Sequence, residues 1–149
     1  MAKEIERKFL VNGDFKHLAV REINILQTYL SIDNKKSIRL RIAGDKAFLT
    51  IKARPEANSI SRDEFEVQIP VDDGMDMMKL CLPGRIEKTR YIIPSGKFNF
   101  EVDVFHGKNE GLIIAEIELT SESEPFEKPG WLGEEVTGKP EYYNANLIK

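Results

Sequence analysis

Cysteine is nearly absent from this chain of 149 residues. Cys81 stands alone, so no internal disulfide and no thiolate zinc cluster can form, and a lone thiol fits a reducing compartment. Histidine is almost as scarce, and His17 and His106, far apart in sequence, are expected at the surface. Long hydrophobic runs are missing. The longest aliphatic stretch, Leu112-Ile113-Ile114-Ala115, falls far short of the roughly 20 residues a membrane helix needs. Where a signal sequence would be apolar the N-terminus carries Lys3, Glu4, Glu6, Arg7 and Lys8, so a soluble cytoplasmic protein without membrane contact is expected. Basic charge is not in excess: 22 Lys and Arg oppose 25 Asp and Glu, a net charge of -3, which argues against nucleic-acid binding. Neither a GxxxxGK[ST] nor a GxGxxG loop occurs, so any phosphate must be held by side chains.

Hydrophobic residues at 41% and charged residues at 32% are those of a globular protein, and the length suits one core. No repeat or linker divides the chain, and a single domain over residues 1–149 is expected. Alternating segments bounded by Gly, Pro, Asn or Asp predict eight strands, at about 3–10, 23–31, 37–43, 46–53, 61–69, 86–93, 98–105 and 112–120. Asp33-Asn34-Lys35, Gly44-Asp45 and Pro94-Ser95-Gly96 have hairpin chemistry, which points to an antiparallel meander. Short helices are expected at about 14–20, 72–82 and 141–148. Asp72 or Asp73 would cap the second, Met75, Met78 and Leu82 would form its packing stripe, and Pro83-Gly84 would end it. Ser121 to Pro125 reads as a solvated loop, and Trp131 with Tyr142-Tyr143 as packing for the C-terminal helix against the barrel, the alternatives being to close one mouth or form a dimer contact.

The informative pattern is the spacing of charge. In an extended chain the side-chain period of two puts Glu4, Glu6 and Lys8 on one face. The same parity recurs in Arg39 and Arg41, Lys52 with Thr50, Arg62 with Glu64 and Glu66, Lys88 and Arg90, Glu101 and Asp103, and Glu116 and Glu118. The remaining strand offers Gln27 and Tyr29. One such stripe is the ordinary solvent face of an antiparallel sheet. Here the opposite faces are strongly apolar, and three short helices are little cover for so wide a sheet. The alternative is an eight-stranded antiparallel barrel, a mainly β (α+β) fold, with the helices outside or at its mouths and the stripes lining its bore. Seven basic groups against eight acidic ones would then compensate across neighbouring strands.

Clustered carboxylates without His or Cys partners suit a hard divalent cation, Mg²⁺ or Mn²⁺. Arg and Lys in the same cavity suit a multiply charged phosphate. Together they are what phosphoryl transfer requires.

The ordered set Glu4-Ile5-Glu6-Arg7-Lys8, Gln27-Thr28-Tyr29-Leu30, Arg39-Leu40-Arg41, Thr50-Ile51-Lys52, Arg62 with Glu64 and Glu66, Glu87-Lys88-Thr89-Arg90-Tyr91, Glu101-Val102-Asp103 and Glu116-Ile117-Glu118 resembles the CYTH superfamily of triphosphate tunnel metalloenzymes. Gly133 to Thr137 is similar to the tail of its small bacterial members. The resemblance implies an eight-stranded tunnel that binds a linear triphosphate with divalent metal and cleaves its terminal phosphate. It implies metal ligation by Glu4, Glu6 and Glu118, with Glu116 and Asp103 at the metal or its waters. It implies a phosphate clamp of Arg39, Arg41, Lys52, Lys88 and Arg90, which Arg62 either joins or leaves to pair with Glu64 or Glu66. Lys8 is similar to a lysine that works with a tyrosine at the position of Tyr29 on the attacking water, or else holds a terminal phosphate oxygen.

The expected function is a Mg²⁺- or Mn²⁺-dependent phosphohydrolase acting on inorganic tripolyphosphate first and nucleoside triphosphates second. The competing readings are a class IV adenylyl cyclase-like enzyme and a non-catalytic polyphosphate- or nucleotide-binding module. The expected partner is the small-molecule triphosphate alone, with the protein a monomer or homodimer.

Overall fold

The computed structural model describes residues 2–33, 35–53 and 61–148. Nine strands form one sheet: β1 (Ala2–Val11), β2 (Arg21–Ile32), β3 (Lys36–Ala43), β4 (Lys46–Ala53), β5 (Ser61–Ile69), β6 (Ile86–Ser95), β7 (Phe98–Phe105), β8 (Ile113–Glu118) and β9 (Leu132–Glu135). Their order is β5-β4-β3-β2-β6-β7-β8-β1-β9, and β5 also pairs with β1. That last pairing, Ala2↔Glu64 through Ile5↔Ser61, closes the first eight strands into an antiparallel barrel. β1 closes the ring because its two edges are used at different heights. One edge meets β5 with residues 2–5 and β9 with Phe9 and Val11, while the other meets β8 from Glu6 to Leu10.

The eight predicted strands are all present, and the topology is two meanders joined by longer connections. β2 to β5 run in one, β6 to β8 in the other, and β6 returns beside β2. Two hairpins are tight because glycine leads a two-residue loop with positive φ, the geometry whose twist matches the flanking strands: Gly44 at 61° and Gly96 at 60°. Pro94 and Ser95 therefore end β6 and do not form the turn. Of the Asp33-Asn34-Lys35 turn, Asn34 lies outside the described residues.

The helices are shorter than their sequence patterns. The first is one 3₁₀ turn, Lys16–Leu18, and the last is a 3₁₀ turn, Pro140–Tyr142, followed by α2, Asn144–Leu147. Between β5 and β6 lie α1, Val71–Met77, and a 3₁₀ turn, Met78–Leu80. Neither Asp72 nor Asp73 caps α1, whose N-cap is Pro70 with no side-chain hydrogen bond. Met75 and Leu82 are exposed and form no packing stripe. Gly74 is the buried residue of α1, because a residue without Cβ lets the helix backbone lie directly on Ala47 of β4.

The largest apolar core lies outside the bore. Phe9, Ile93, Phe100, Val102, Ala115 and Ile117, the outward set of β1, β6, β7 and β8, pack with Phe15, Leu119 and Trp131. The cover comes chiefly from Phe15, in the segment expected as the first helix, and from Phe126, Trp131 and Leu132, in a stretch where no strand is predicted. Trp131 packs edge-on to Phe100, 5.2 Å between centroids, and not against the C-terminal helix. A smaller cluster of Tyr29, Ile86, Phe105, Ile114 and Leu147 packs α2 onto one end of the barrel, where Asn109 Nδ2 donates to the Leu147 carbonyl at 2.6 Å. The outer face of β4 and β5 keeps Ile51, Phe65 and Val67 exposed. No helix among the described residues is long and apolar enough to cross a membrane.

The Cβ of a Gly74→Ala variant would stand 2.8 Å from the Ala47 Cβ, so α1 must shift off the barrel. Overpacking of this kind costs about 1–3 kcal/mol and is expected as a lowered Tm. Asp63, on the outer parity and paired with Lys3 at the surface, should change stability by less than about 0.5 kcal/mol when replaced by Ala.

Candidate functional site

Register decides which side chains meet. β2 runs between β3 and β6, so its inward Gln27 and Tyr29 are flanked by Arg39 and Arg41 on one side and by the strand of Lys88 and Arg90 on the other. Four strands away in either direction round the ring, β1 carries Glu4, Glu6 and Lys8, with Glu6 opposite Glu118 and Lys8 opposite Glu116 on β8. β4 and β5 align Lys52 with Glu64 and Thr50 with Glu66, and Arg62 aligns with Glu4. The bore thus joins a cationic wall on β3 and β6 to a carboxylate wall on β1 and β8.

The cations divide into held and available groups. Arg90 donates to both oxygens of Asp103, at 2.8 and 2.9 Å, and to Glu101 at 3.2 Å, while Lys88 Nζ lies 2.8 Å from Asp103. Lys52 donates to both oxygens of Glu4 at 3.0 Å and stands 3.6 Å from Glu64. Lys8 sits 3.5 Å from Glu116 and 3.9 Å from Glu6. Arg41 reaches Glu66 only at 3.6 Å, and Thr50 takes that carboxylate more closely, at 2.6 Å. The Nε atoms of Arg39 and Arg41 are buried without a hydrogen-bond partner among the described residues. No ion pair joins Arg62 to Glu64 or Glu66. Its guanidinium lies 5.5 Å from the Tyr143 ring centroid, and it lines a cavity of about 400 Å³ with Tyr29, Arg39, Lys52 and Tyr143. Lys8 and Tyr29 share no hydrogen bond, and Tyr29 lies directly across from Arg39 in the β2–β3 register.

The protonation pattern follows from this uneven pairing. Burial, then repulsion from Glu116 and Glu4, pushes the Glu6 carboxyl up to about 8. Burial and a hydrogen bond with Glu4 push Glu64 up to about 7. Burial opposes ionisation of Glu4, Asp103 and Glu116 as well, but Lys52 outweighs it at Glu4, Arg90 and Lys88 at Asp103, and Lys8 with Arg90 at Glu116, so all three stay below the usual carboxylate range. Burial lowers Lys88 to about 8 despite Asp103. It lowers Arg41 too, helped by Arg39 and Arg90. Burial raises the Tyr29 phenol, which therefore stays neutral and able to donate.

Among the described residues no three carboxylate, imidazole or thiolate groups are already spaced as a metal cage. The donors nonetheless fit a hard divalent ion. Glu4, Glu6, Glu64, Glu116 and Glu118 offer only oxygen and crowd one another until two of them retain protons near neutrality, a strain that two positive charges relieve. An ion of the Mg²⁺ type needs few protein ligands, because water and phosphate complete its shell.

Sequence reasoning did not single out Thr50 or Tyr143 for the site. Thr50 carried a signal, since it shares the parity of Lys52. Tyr143 carried only the alternative that the tyrosine pair closes one mouth, because its place beside Arg62 and Lys8 depends on how the tail returns to the barrel end.

The CYTH domain matches residues 2–148. The inorganic triphosphatase of Acetivibrio thermocellus is 46% identical over 150 residues, covering 100% of this chain and 95% of that protein. The inorganic triphosphatase of Nitrosomonas europaea is 39% identical over 149 residues, covering 97% and 95%. The crystal structure of the inorganic triphosphatase NE1496 superposes with a TM-score of 0.69 at 35% identity, covering 99% of this chain and 95% of that one.

The folded protein holds the Glu6 proton to about pH 8, whereas the ordinary value is 4.5. The folded state therefore binds more protons across that window, and its stability falls as pH rises through it. In chelator, Glu6→Gln should raise Tm at pH 8 and lose that advantage towards pH 4.5, as thermal melts across the range will read.

Proposed function

The chain belongs to the CYTH domain family, and we propose that it hydrolyses the terminal phosphate of a linear triphosphate in a divalent-metal-dependent reaction, with inorganic tripolyphosphate the preferred substrate and nucleoside triphosphates second. The observation that carries this reading is the joining of two walls in one bore, cations on β3 and β6 and crowded carboxylates on β1 and β8. A module that only bound polyphosphate would gain nothing from acidic groups beside its anion.

Family membership implies a divalent metal, and Mg²⁺ or Mn²⁺ fits the oxygen donors best. Glu4, Glu6 and Glu118 would hold it, with Glu116 and Asp103 at the metal or its waters, and it would supply charge neutralisation and a more acidic bound water. The side chains do the rest. Arg39 and Arg41, with Nε atoms that have no partner within the described residues, grip phosphate oxygens, and Lys52 and Arg62 extend the grip to the α2 end of the bore. Asp103 fixes the Arg90 fork and the Lys88 ammonium before substrate arrives, so no reorganisation is needed as charge develops on the transferring phosphoryl group. Lys8, between Glu6 and Glu116, stands where the two walls meet and holds a terminal phosphate oxygen or its water. Tyr29, a neutral phenol, donates to phosphate beside Arg39. We place this activity in the cytoplasm, in one domain over residues 1–149 that acts as a monomer or homodimer without nucleic acid.

Purified protein with Mg²⁺ or Mn²⁺ is expected to release orthophosphate from tripolyphosphate faster than from ATP. Cyclic AMP and diphosphate as the products from ATP would overturn the hydrolase assignment. Glu6→Ala should lose about 100-fold or more in metal-dependent turnover while still folding, and a fully active variant removes the metal assignment. Arg41→Ala should lower kcat/KM by about 100-fold, through both terms, because its cation contacts ground and transition states.

A further inference from the structure

Gln27 is an inward side chain of the bore whose amide nitrogen and oxygen are both idle among the described residues. It is 1% exposed on the inward face of β2, and neither its Nε2 nor its Oε1 has a hydrogen-bond partner among the described residues. A buried amide without partners destabilises a folded protein, so a group that completes its bonds is expected. Its position says which group. Gln27 pairs across β3 with Arg41, whose Nε is equally unpartnered, and across β6 with Ile86, while Lys88 and Arg90 follow on that same strand. It thus stands in the middle of the cationic wall.

Arginine and lysine only donate, and an ionised phosphate only accepts. A water lodged against a wall of guanidinium and ammonium groups has nothing there to receive its own hydrogens. Gln27 changes that, because the amide carries a donor and an acceptor side by side without adding charge where four cations already repel one another. An amide is suited to bridge a phosphoryl oxygen and a water.

We propose that Gln27 is a catalytic residue of the proposed triphosphate hydrolysis, its Nε2–H donating to an oxygen of the terminal phosphate and its Oε1 accepting from the water that attacks it. This rests on the hydrolase reading given above. The oxygen of that water forms the new bond to the terminal phosphorus, and the bridging P–O bond breaks with its electron pair leaving on the diphosphate. A proton of the water passes to the released phosphates, giving orthophosphate and diphosphate.

The test uses Gln27→Met, a near-isostere with no strong hydrogen-bonding group, and Gln27→Leu as a second variant, each assayed for phosphate release from tripolyphosphate and for Tm without substrate. The expected result is a fall in kcat of about tenfold or more with KM changed by less than about threefold. Tm should be equal to or above that of the wild type, because an idle buried amide has been removed. Unchanged kcat in both variants, or a loss confined to KM, overturns the assignment. So does failure of both variants to fold, since an amide without partners in the protein cannot be what holds it together. A wild-type protein that releases no phosphate overturns this and the hydrolase reading together, whereas an active wild type matched by an equally active Gln27→Met overturns this one alone.

Discussion

Ionised groups inside a narrow barrel are tolerable only if each finds a partner across the bore or on the next strand. Isolated charges there would carry desolvation penalties of several kcal/mol apiece. In this protein the penalty is met by register. Antiparallel pairing sets Arg90 beside Asp103, Lys52 beside Glu64 and Lys8 beside Glu116, so compensation is built into the same hydrogen bonds that form the sheet. A slip of one residue between any of these strands would turn its charges to the apolar exterior and its apolar side chains into the bore. The fold and the charge pattern therefore specify each other.

Compensation is uneven round the bore. At Asp103 the Arg90 fork is engaged through both carboxylate oxygens and Lys88 Nζ lies 2.8 Å away, which holds both cations in place. At Glu6 and Glu64 carboxyls outnumber nearby cations, and protons fill the gap. On β2 and β3 the reverse holds: Arg39, Arg41 and Gln27 keep polar atoms for which the protein supplies no partner among the described residues. Negative surplus at one wall and unspent donors at the other suit the two ends of the metal–phosphate complex proposed for the bore.

The exterior holds this bore in shape. Because the interior is polar, the apolar core lies outside, and it needs a cover that the short helices do not provide. The segment after β8 supplies it through Phe126, Trp131 and β9. There Arg7 forks onto Glu135, and the backbone N–H of Lys8 donates to Thr137 Oγ1 at 2.9 Å. The strand that aims Glu6 and Lys8 inwards is thus fastened from behind by the tail.

Alternation in β1, β3, β4 and β6 already separated Glu6, Arg39, Lys52 and Arg90 from Ile5, Leu40, Ile51 and Tyr91, because side chains on an extended backbone change face at every residue whatever lies around them. With that parity came the strands, the barrel and the set of side chains that line its bore. The partnerships were not legible. That Asp103 is taken by Arg90, that Tyr143 returns to Arg62, that Trp131 leaves the C-terminal helix for Phe100, and that Gln27 has no partner among the described residues all depend on which distant strands become neighbours and at what height. Parity is a property of adjacent residues, but charge compensation, helix length and the covering of the outer core arise between segments up to 129 residues apart, and only the closed ring sets those distances.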